Sequence, residues 1–412
     1  MRRFLERYHW FLALQLVLIL YCLPSFPRAS ADGGAPNLAY VAGTTSGVSV
    51  IDVGQAKVTK TITLAGDPHM ILLSPDGRFL YATQQTLGRV AVIAAKTGQV
   101  VCAVGLPGHP TVLALSLDAT VLYAAGNDAA NVSALDPATC RIRKTYRTAG
   151  PVYGLAVRAT ESASSQLWVT GPTSLSIFDV NGALLDDIPI TDGPQYLSIP
   201  DAFNAYVTTR RGTVVAIDLV TLRVFPPLLS GGKFGPIDYD ANTGEVYVPD
   251  EQHNLLDVLN PLDGARITLP KQPRRVIHTG VPPEAVAITS DGLLGFVALQ
   301  GGKVGMLDLI GRNFVHTFSV GGTPHFIITG LYPPSITSTP PKAPLQQKTM
   351  QSNVINIVFY GLATVLFIFL LFLLLRFRKR QGLYPKGKDG SSRLSSKKRV
   401  RRARKRIHKK RA

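Results

Sequence analysis

Gly66-Asp67-Pro68-His69-Met70-Ile71-Leu72-Leu73-Ser74-Pro75-Asp76-Gly77-Arg78-Phe79-Leu80-Tyr81-Ala82-Thr83 holds the unit from which most of the chain is built. A Gly-x-Pro turn opens it, because Gly accepts positive φ and Pro fixes φ near −65°. A short apolar strand follows, then a Ser-Pro-Asp-Gly hairpin, then a second strand carrying an aromatic residue. The turn recurs at Gly66, Gly108, Gly150, Gly193, Gly235, Gly280 and Gly322, as Gly-Pro without the middle residue at Gly150, Gly193 and Gly235, with spacings of 42, 42, 43, 42, 45 and 42 residues. Seven copies at that period predict a ring of repeated sheets.

Outward from that unit, each copy supplies two more strands. The aromatic of the second strand is Tyr40, Tyr81, Tyr123, Trp168, Tyr206, Tyr247 or Phe296. A third strand ends in an apolar–Asp pair, as in Ile51-Asp52, Leu135-Asp136, Phe178-Asp179, Ile217-Asp218 and Leu307-Asp308. A fourth alternates with period two, as in Val58-Thr59-Lys60-Thr61-Ile62-Thr63-Leu64. Four short strands per repeat with turn signals between them make one propeller blade. The chain enters at a second strand and leaves after a first strand. The last blade is therefore expected to be shared, its first strand from the C-terminal side of the repeats and strands two to four from the N-terminal side. The predicted class is all-β, a seven-bladed β-propeller over residues 32–330 closed in this way, with one C-terminal transmembrane helix.

The flanks read differently. Residues 1–31 have the pattern of a secretory signal: Arg2, Arg3 and Arg7, an apolar stretch over 11–23, and Ala29-Ser30-Ala31 as a cleavage site. Residues 331–352 are rich in Pro, Ser and Thr and read as an extended spacer, expected to hold the propeller off the membrane. A membrane helix is predicted over 353–375; its segment 357–375 carries no charge and would rise roughly 28 Å as a helix, enough to cross the hydrocarbon layer. The tail, 376–412, holds 18 of the chain's 44 Lys and Arg against the single acid Asp389. The other residues hold 26 basic and 25 acidic side chains, so all but one unit of the net charge of +18 belongs to the tail. Positive charge stays cytoplasmic. The expected localisation is the cell membrane, single-pass, with the propeller extracytoplasmic and the tail inside. Lys397, Lys398, Arg399, Arg401, Arg402, Arg404, Lys405, Arg406, Lys409, Lys410 and Arg411 are the expected contacts to anionic lipid headgroups. Nucleic acid is the weaker tail reading, since no aromatic residue interleaves that run to stack on bases.

The second-strand segments Leu80-Tyr81-Ala82-Thr83, Tyr206-Val207-Thr208-Thr209 and Tyr247-Val248-Pro249-Asp250 resemble the Tyr-Val-Thr-Asn repeat of the YVTN family of β-propellers. The resemblance covers roughly 38–330 and implies a surface-layer-like or exported propeller, without implying an activity. Two segments depart from the repeat, 158–165 and 271–278.

Among candidate sites, His69, His109 and His325 lie at or beside the Gly-x-Pro turn, where imidazoles from neighbouring inner strands can converge on the channel mouth. Together with Arg274 and Arg275 they form the candidate ligand-binding set; Arg210, Arg211 and His278 add to a basic surface suited to an acidic glycan. No metal set, catalytic constellation or cofactor is predicted. Only four glutamates follow residue 31, Glu161, Glu245, Glu251 and Glu284, whereas a propeller built around a channel calcium wants many oxygen ligands. Trp168 is the only tryptophan past residue 31, which argues against propellers that dock a quinone with repeated tryptophans. The expected role is a binding or display module for an extracellular protein, glycan or small ligand. The alternatives are a lactonase-like or metal-dependent enzyme using the histidines, and a structural envelope component. Cys102 and Cys140 fall at similar places in successive repeats, on what the pattern makes neighbouring outer strands, and are expected to be two free thiols.

Overall fold

The computed structural model describes residues 38–160, 165–200, 203–260 and 275–333. The leader, most of the spacer, the apolar segment, the basic tail and Arg274 lie outside the described residues. Among the described residues no helix is long and apolar enough to cross a membrane.

Seven four-stranded antiparallel sheets are present. Their innermost strands, in chain order, are Pro68–Leu73, Pro110–Leu115, Gly154–Ala159, Pro194–Ser198, Asp238–Tyr239, Pro283–Ile288 and Phe326–Gly330. The last of these completes the blade begun by Leu38–Thr44, Gly47–Asp52 and Lys57–Thr63, with Leu38 opposite Gly330 and Tyr40 opposite Ile328. The ring therefore closes through pairing of the two ends of the repeat region, as the strand count predicts, and no open sheet edge is left at the seam.

The second strands are the most deeply buried elements, and their aromatics are among the largest fully buried side chains. Each aromatic sits between blades and faces a fixed partner on its inner strand: Leu72, Ala114, Ala156, Ser198, Ala287 or Ile328 in six blades, Asp238 in the seventh.

The Asp that ends five of the seven third strands has a local task. Asp218 Oδ1 accepts from the N–H groups of Val220 and Thr221, both at 2.8 Å, and Asp136 does the same for Ala138 and Thr139. These bonds shape a turn whose fourth residue after the Asp is left-handed: Ala56, Cys140, Leu222 and Arg312 have φ between 47° and 57°. Cys140 is thus a turn residue rather than an outer-strand residue. Its side chain meets Cys102 on the outer strand Val100–Gly105 of the preceding blade, and the two form a disulfide with a Cα–Cα distance of 6.3 Å. The expectation of two free thiols is corrected. The repeat positions are not equivalent, and the turn of one blade reaches back to the outer strand of the blade before it.

All inner strands run the same way. The Gly-x-Pro turns and the loops between strands two and three make the upper face. The turns between strands one and two and between strands three and four make the lower face, from which the chain also enters and leaves. At the exit, the Tyr332 hydroxyl hydrogen-bonds the Asp52 carboxylate, tying the departing chain to the shared blade.

Candidate functional site at the upper mouth of the channel

Three residues before the partner of each aromatic, the inner strands contribute His69, Thr111, Tyr153, Gln195, Gly235, Glu284 and His325. This is the ring of positions at the upper mouth. Below it the channel's upper part holds about 530 Å3 of empty space, open solvent at its mouth included. His69, His325, Met70, Phe326, Tyr196 and Leu197 line it, with Thr111 and Gly154 among the smaller neighbours.

His69 and His325 come together, their ring centroids 4.8 Å apart and the planes inclined by 42°. Asp67 Oδ1 lies 3.6 Å from His325 Nε2. The approach depends on Gly43 in the shared blade. It has φ +80°, and a Cβ there would lie 2.1 Å from the Thr323 carbonyl oxygen and 2.7 Å from the His325 ring. Thr323 and His325 both donate backbone hydrogen bonds to this strand, to the carbonyls of Gly43 and Ala42 at 2.8 and 3.0 Å. Burial, reinforced by His325 and opposed by Asp67, pushes the His69 imidazole down to about 4. His69 is therefore neutral near pH 7 and offers one N–H donor and one lone pair, not a positive charge.

His109 does not join this pair. It occupies the middle of its Gly-x-Pro turn, the position of Asp67 and Thr323, and its Nδ1 pairs with the carboxylate of Asp128 in an exposed setting. Among the described residues, no group of three His, Cys, Asp or Glu side chains is placed to hold a metal ion.

Across the mouth stands a second group. Burial first, then Glu251 and Glu284, push the Tyr196 hydroxyl up to about 12, so it stays a neutral donor. Burial and the nearby Glu284 raise Glu251 above the usual carboxylate range, against the pull of its ion-pair partner Lys233. Two of the few glutamates thus gather at one site. The readable sign was Glu284, which occupies the repeat position held elsewhere by His69 and His325. Nothing in sequence spacing marks Glu251.

Deeper in the channel, Asp238 keeps some solvent contact but is surrounded by protein, and burial pushes its carboxyl up to about 6. Its Oδ2 accepts from the Ile288 N–H of the next inner strand at 2.7 Å. From the other side, Thr329 Oγ1 donates to the Ile288 carbonyl. This carboxyl therefore joins blades.

The basic candidates lie elsewhere. Arg275 donates to Glu245 Oε1 at 2.6 Å and also bonds Asn260; Arg312 reaches the same Glu245 oxygen at 3.0 Å. This guanidinium is engaged within its own ring. Arg210 stacks on Tyr153 at 4.6 Å and donates to the Pro172 carbonyl, which sets it beside the mouth, while exposed Arg211 lies 3.6 Å from Asp192.

No family model matches the chain, and no curated protein does. Solved structures do. A functionally unknown protein from Desulfotomaculum acetoxidans aligns at 14% identity over 72% of this chain and 99% of its own, with a TM-score of 0.59. A putative 6-phosphogluconolactonase from Bacteroides uniformis aligns at 15% identity over 70% and 98%, with a TM-score of 0.58. Hydrazine synthase of Kuenenia stuttgartiensis aligns at 18% identity over 67% and 92%, with a TM-score of 0.56. These likenesses place the chain among seven-bladed β-propellers by fold.

Proposed function

We propose that the chain is a membrane-anchored binding module of the YVTN type, displayed outside the cytoplasm, that holds a small polar ligand or a protruding chain end at the upper mouth. The observation that carries this reading is the convergence of His69, His325 and Tyr196 on one apolar-floored cavity. The two imidazoles and the phenol supply directional hydrogen bonds, while Met70, Phe326 and Leu197 exclude water around them. The cation–π-stacked Arg210 stands at the rim for an acidic substituent. The signal-like leader and the cystine between Cys102 and Cys140 both favour an oxidising exterior. The upper mouth is the face opposite the chain's exit, so a tether at Leu331 leaves it free. In this reading the basic tail engages anionic lipid headgroups on the inner side.

Screening the purified full-length protein for a rise in melting temperature against a set of hydroxy acids, lactones and oligosaccharide fragments tests this. The expected result is a stabilising ligand whose effect disappears in His69→Ala/His325→Ala while the unliganded protein still melts cooperatively. Enzyme-like turnover of a lactone, lost in the same variant, would replace the binding reading with the hydrolytic one.

A further inference from the structure

The two faces of the ring differ in where large apolar side chains meet solvent. Among the described residues only Leu87 is an exposed large hydrophobic on the upper face. The lower turns present Leu117, Val180, Phe203, Val220, Leu293 and Ile310, with Val220 77% and Ile310 78% exposed. Leu331 and Tyr332 join them where the chain leaves. The pattern extends to the rim: Val100, Val101, Ile142, Leu184 and Leu185 are exposed at the first or second residue of their outer strands, the end nearest the lower face.

Single exposed hydrophobics on a surface need no explanation. A one-sided distribution around a ring does. The turn geometry does not demand these residues. The position two after the third-strand Asp is Gly54, Ala138 or Asn181 in three blades and Val220 or Ile310 in two others. The same backbone turn is made with and without an apolar tip.

We infer that the lower face is a docking surface for the outer leaflet of a lipid bilayer, with the turn tips of Phe203, Val220 and Ile310 as its deepest contacts. The occupant is argued from where the chain goes. It leaves by this face, and about two dozen residues beyond Tyr332 it enters the uncharged segment 357–375. A spacer of that length permits stand-off or contact, and the apolar tips select contact over the stand-off that spacer composition alone implies. Charge sets the lipid class. The carboxylates of Asp118, Asp136, Asp218 and Asp308 accept from backbone N–H groups of these turns, and those bonds help hold Asp118, Asp136 and Asp218 below the usual carboxylate range. Arg143 pairs with Asp136 at 2.6 Å, and Lys57, Arg141 and Arg223 are exposed beside the same turns, so apolar tips stand among charges of both signs, a surface suited to zwitterionic headgroups and unlike the basic tail.

The full-length chain, with Cys22→Ser, is reconstituted in phosphatidylcholine vesicles and labelled with bimane at Val220→Cys, Ile310→Cys or Leu87→Cys. Quenching by lipids carrying a nitroxide near the headgroup then reports proximity. The expected result is at least twofold stronger quenching at positions 220 and 310 than at 87, not increased by adding phosphatidylglycerol. Equal or absent quenching at all three positions overturns the inference. So does quenching that requires anionic lipid, or loss of label accessibility through pairing of two rings without quenching. As a control for folding, Ile310→Asp should reduce quenching of a probe at Val220→Cys severalfold while leaving the melting temperature unchanged; undiminished quenching would also count against the inference.

Discussion

The upper and lower faces of this ring are made by the same repeat but solve different problems. On the upper face glycines lie against neighbouring backbone, as Gly43 does against the Thr323 carbonyl, and His69, Tyr196 and His325 gather at the channel mouth. Gly43 must be left-handed for the shared blade to admit His325, and His69 is buried enough to lose its charge. The lower face carries regular Asp-closed turns whose polar groups are satisfied locally, leaving the tip residue free to vary. Close inter-strand contacts above hold the convergent side chains at the mouth, while locally closed turns below leave the identity of the tip residue open to other demands.

The comparison breaks most severely at Gly43. In Gly43→Val the Cβ meets the Thr323 carbonyl and the residue must hold a left-handed φ, so the seam of the ring cannot form as observed. The expected loss is upward of about 4 kcal/mol, seen as loss of cooperative thermal unfolding. Leu222→Val in a lower turn also holds positive φ, yet should cost no more than about 2 kcal/mol, because no second strand is pressed against it. Equal losses would erase the distinction between the faces.

Next in size is the cystine at the lower edge. Reduction, or Cys102→Ser/Cys140→Ser, opens a loop with a sequence separation of 38 residues and should cost about 3 kcal/mol, mostly through the unfolded chain. Denaturant melts with and without reductant would show it. A reductant-insensitive midpoint would mean that the two thiols do not pair.

Acid titration sharpens the view of the channel, because its two shifted groups act oppositely. The folded pKa of His69, about 4, is depressed below the ordinary 6.5. Its contribution to stability is present above pH 6.5 and lost as pH falls towards 4. The folded pKa of Asp238, about 6, is raised above 3.8. Its contribution is present below pH 3.8 and lost as pH rises through 6. Between pH 4 and 6 the two slopes offset each other in the wild type. Asp238→Asn keeps an acceptor for Ile288 N–H and should gain on the order of 2 kcal/mol at pH 7, a gain that vanishes near pH 4. That variant should also be more acid-sensitive than wild type, while His69→Gln should be less so. Parallel pH profiles for all three proteins would show that neither group is buried as described.

The count of blades and the closure were legible because both follow from period and from strand order at the ends. The inward aromatics were legible for the same reason. The disulfide was not. Aligning Cys102 with Cys140 by repeat number puts both on outer strands, whereas counting from Asp136 puts Cys140 in the left-handed turn slot of Ala56, Leu222 and Arg312. The separation of His109 from its supposed partners was also readable, since it aligns with Asp67 and Thr323 rather than with His69. The gathering of Tyr196, Glu251 and Glu284 was only partly readable: it joins residues from different blades, and only the closed ring brings Glu251 to the mouth.

The proposal that the upper mouth holds a ligand implies that it is occupied in its native setting, which is tested most directly by histidine carbethoxylation, a reaction of neutral imidazoles. Rates at His69 and His325 would be measured by mass spectrometry in native membranes and again in the purified, dialysed protein. The account predicts severalfold slower reaction of both in membranes, with the exposed outer-strand His316 reacting alike in the two samples. Equal rates at His69 and His325 in both would mean that nothing sits on the mouth, and would contradict it.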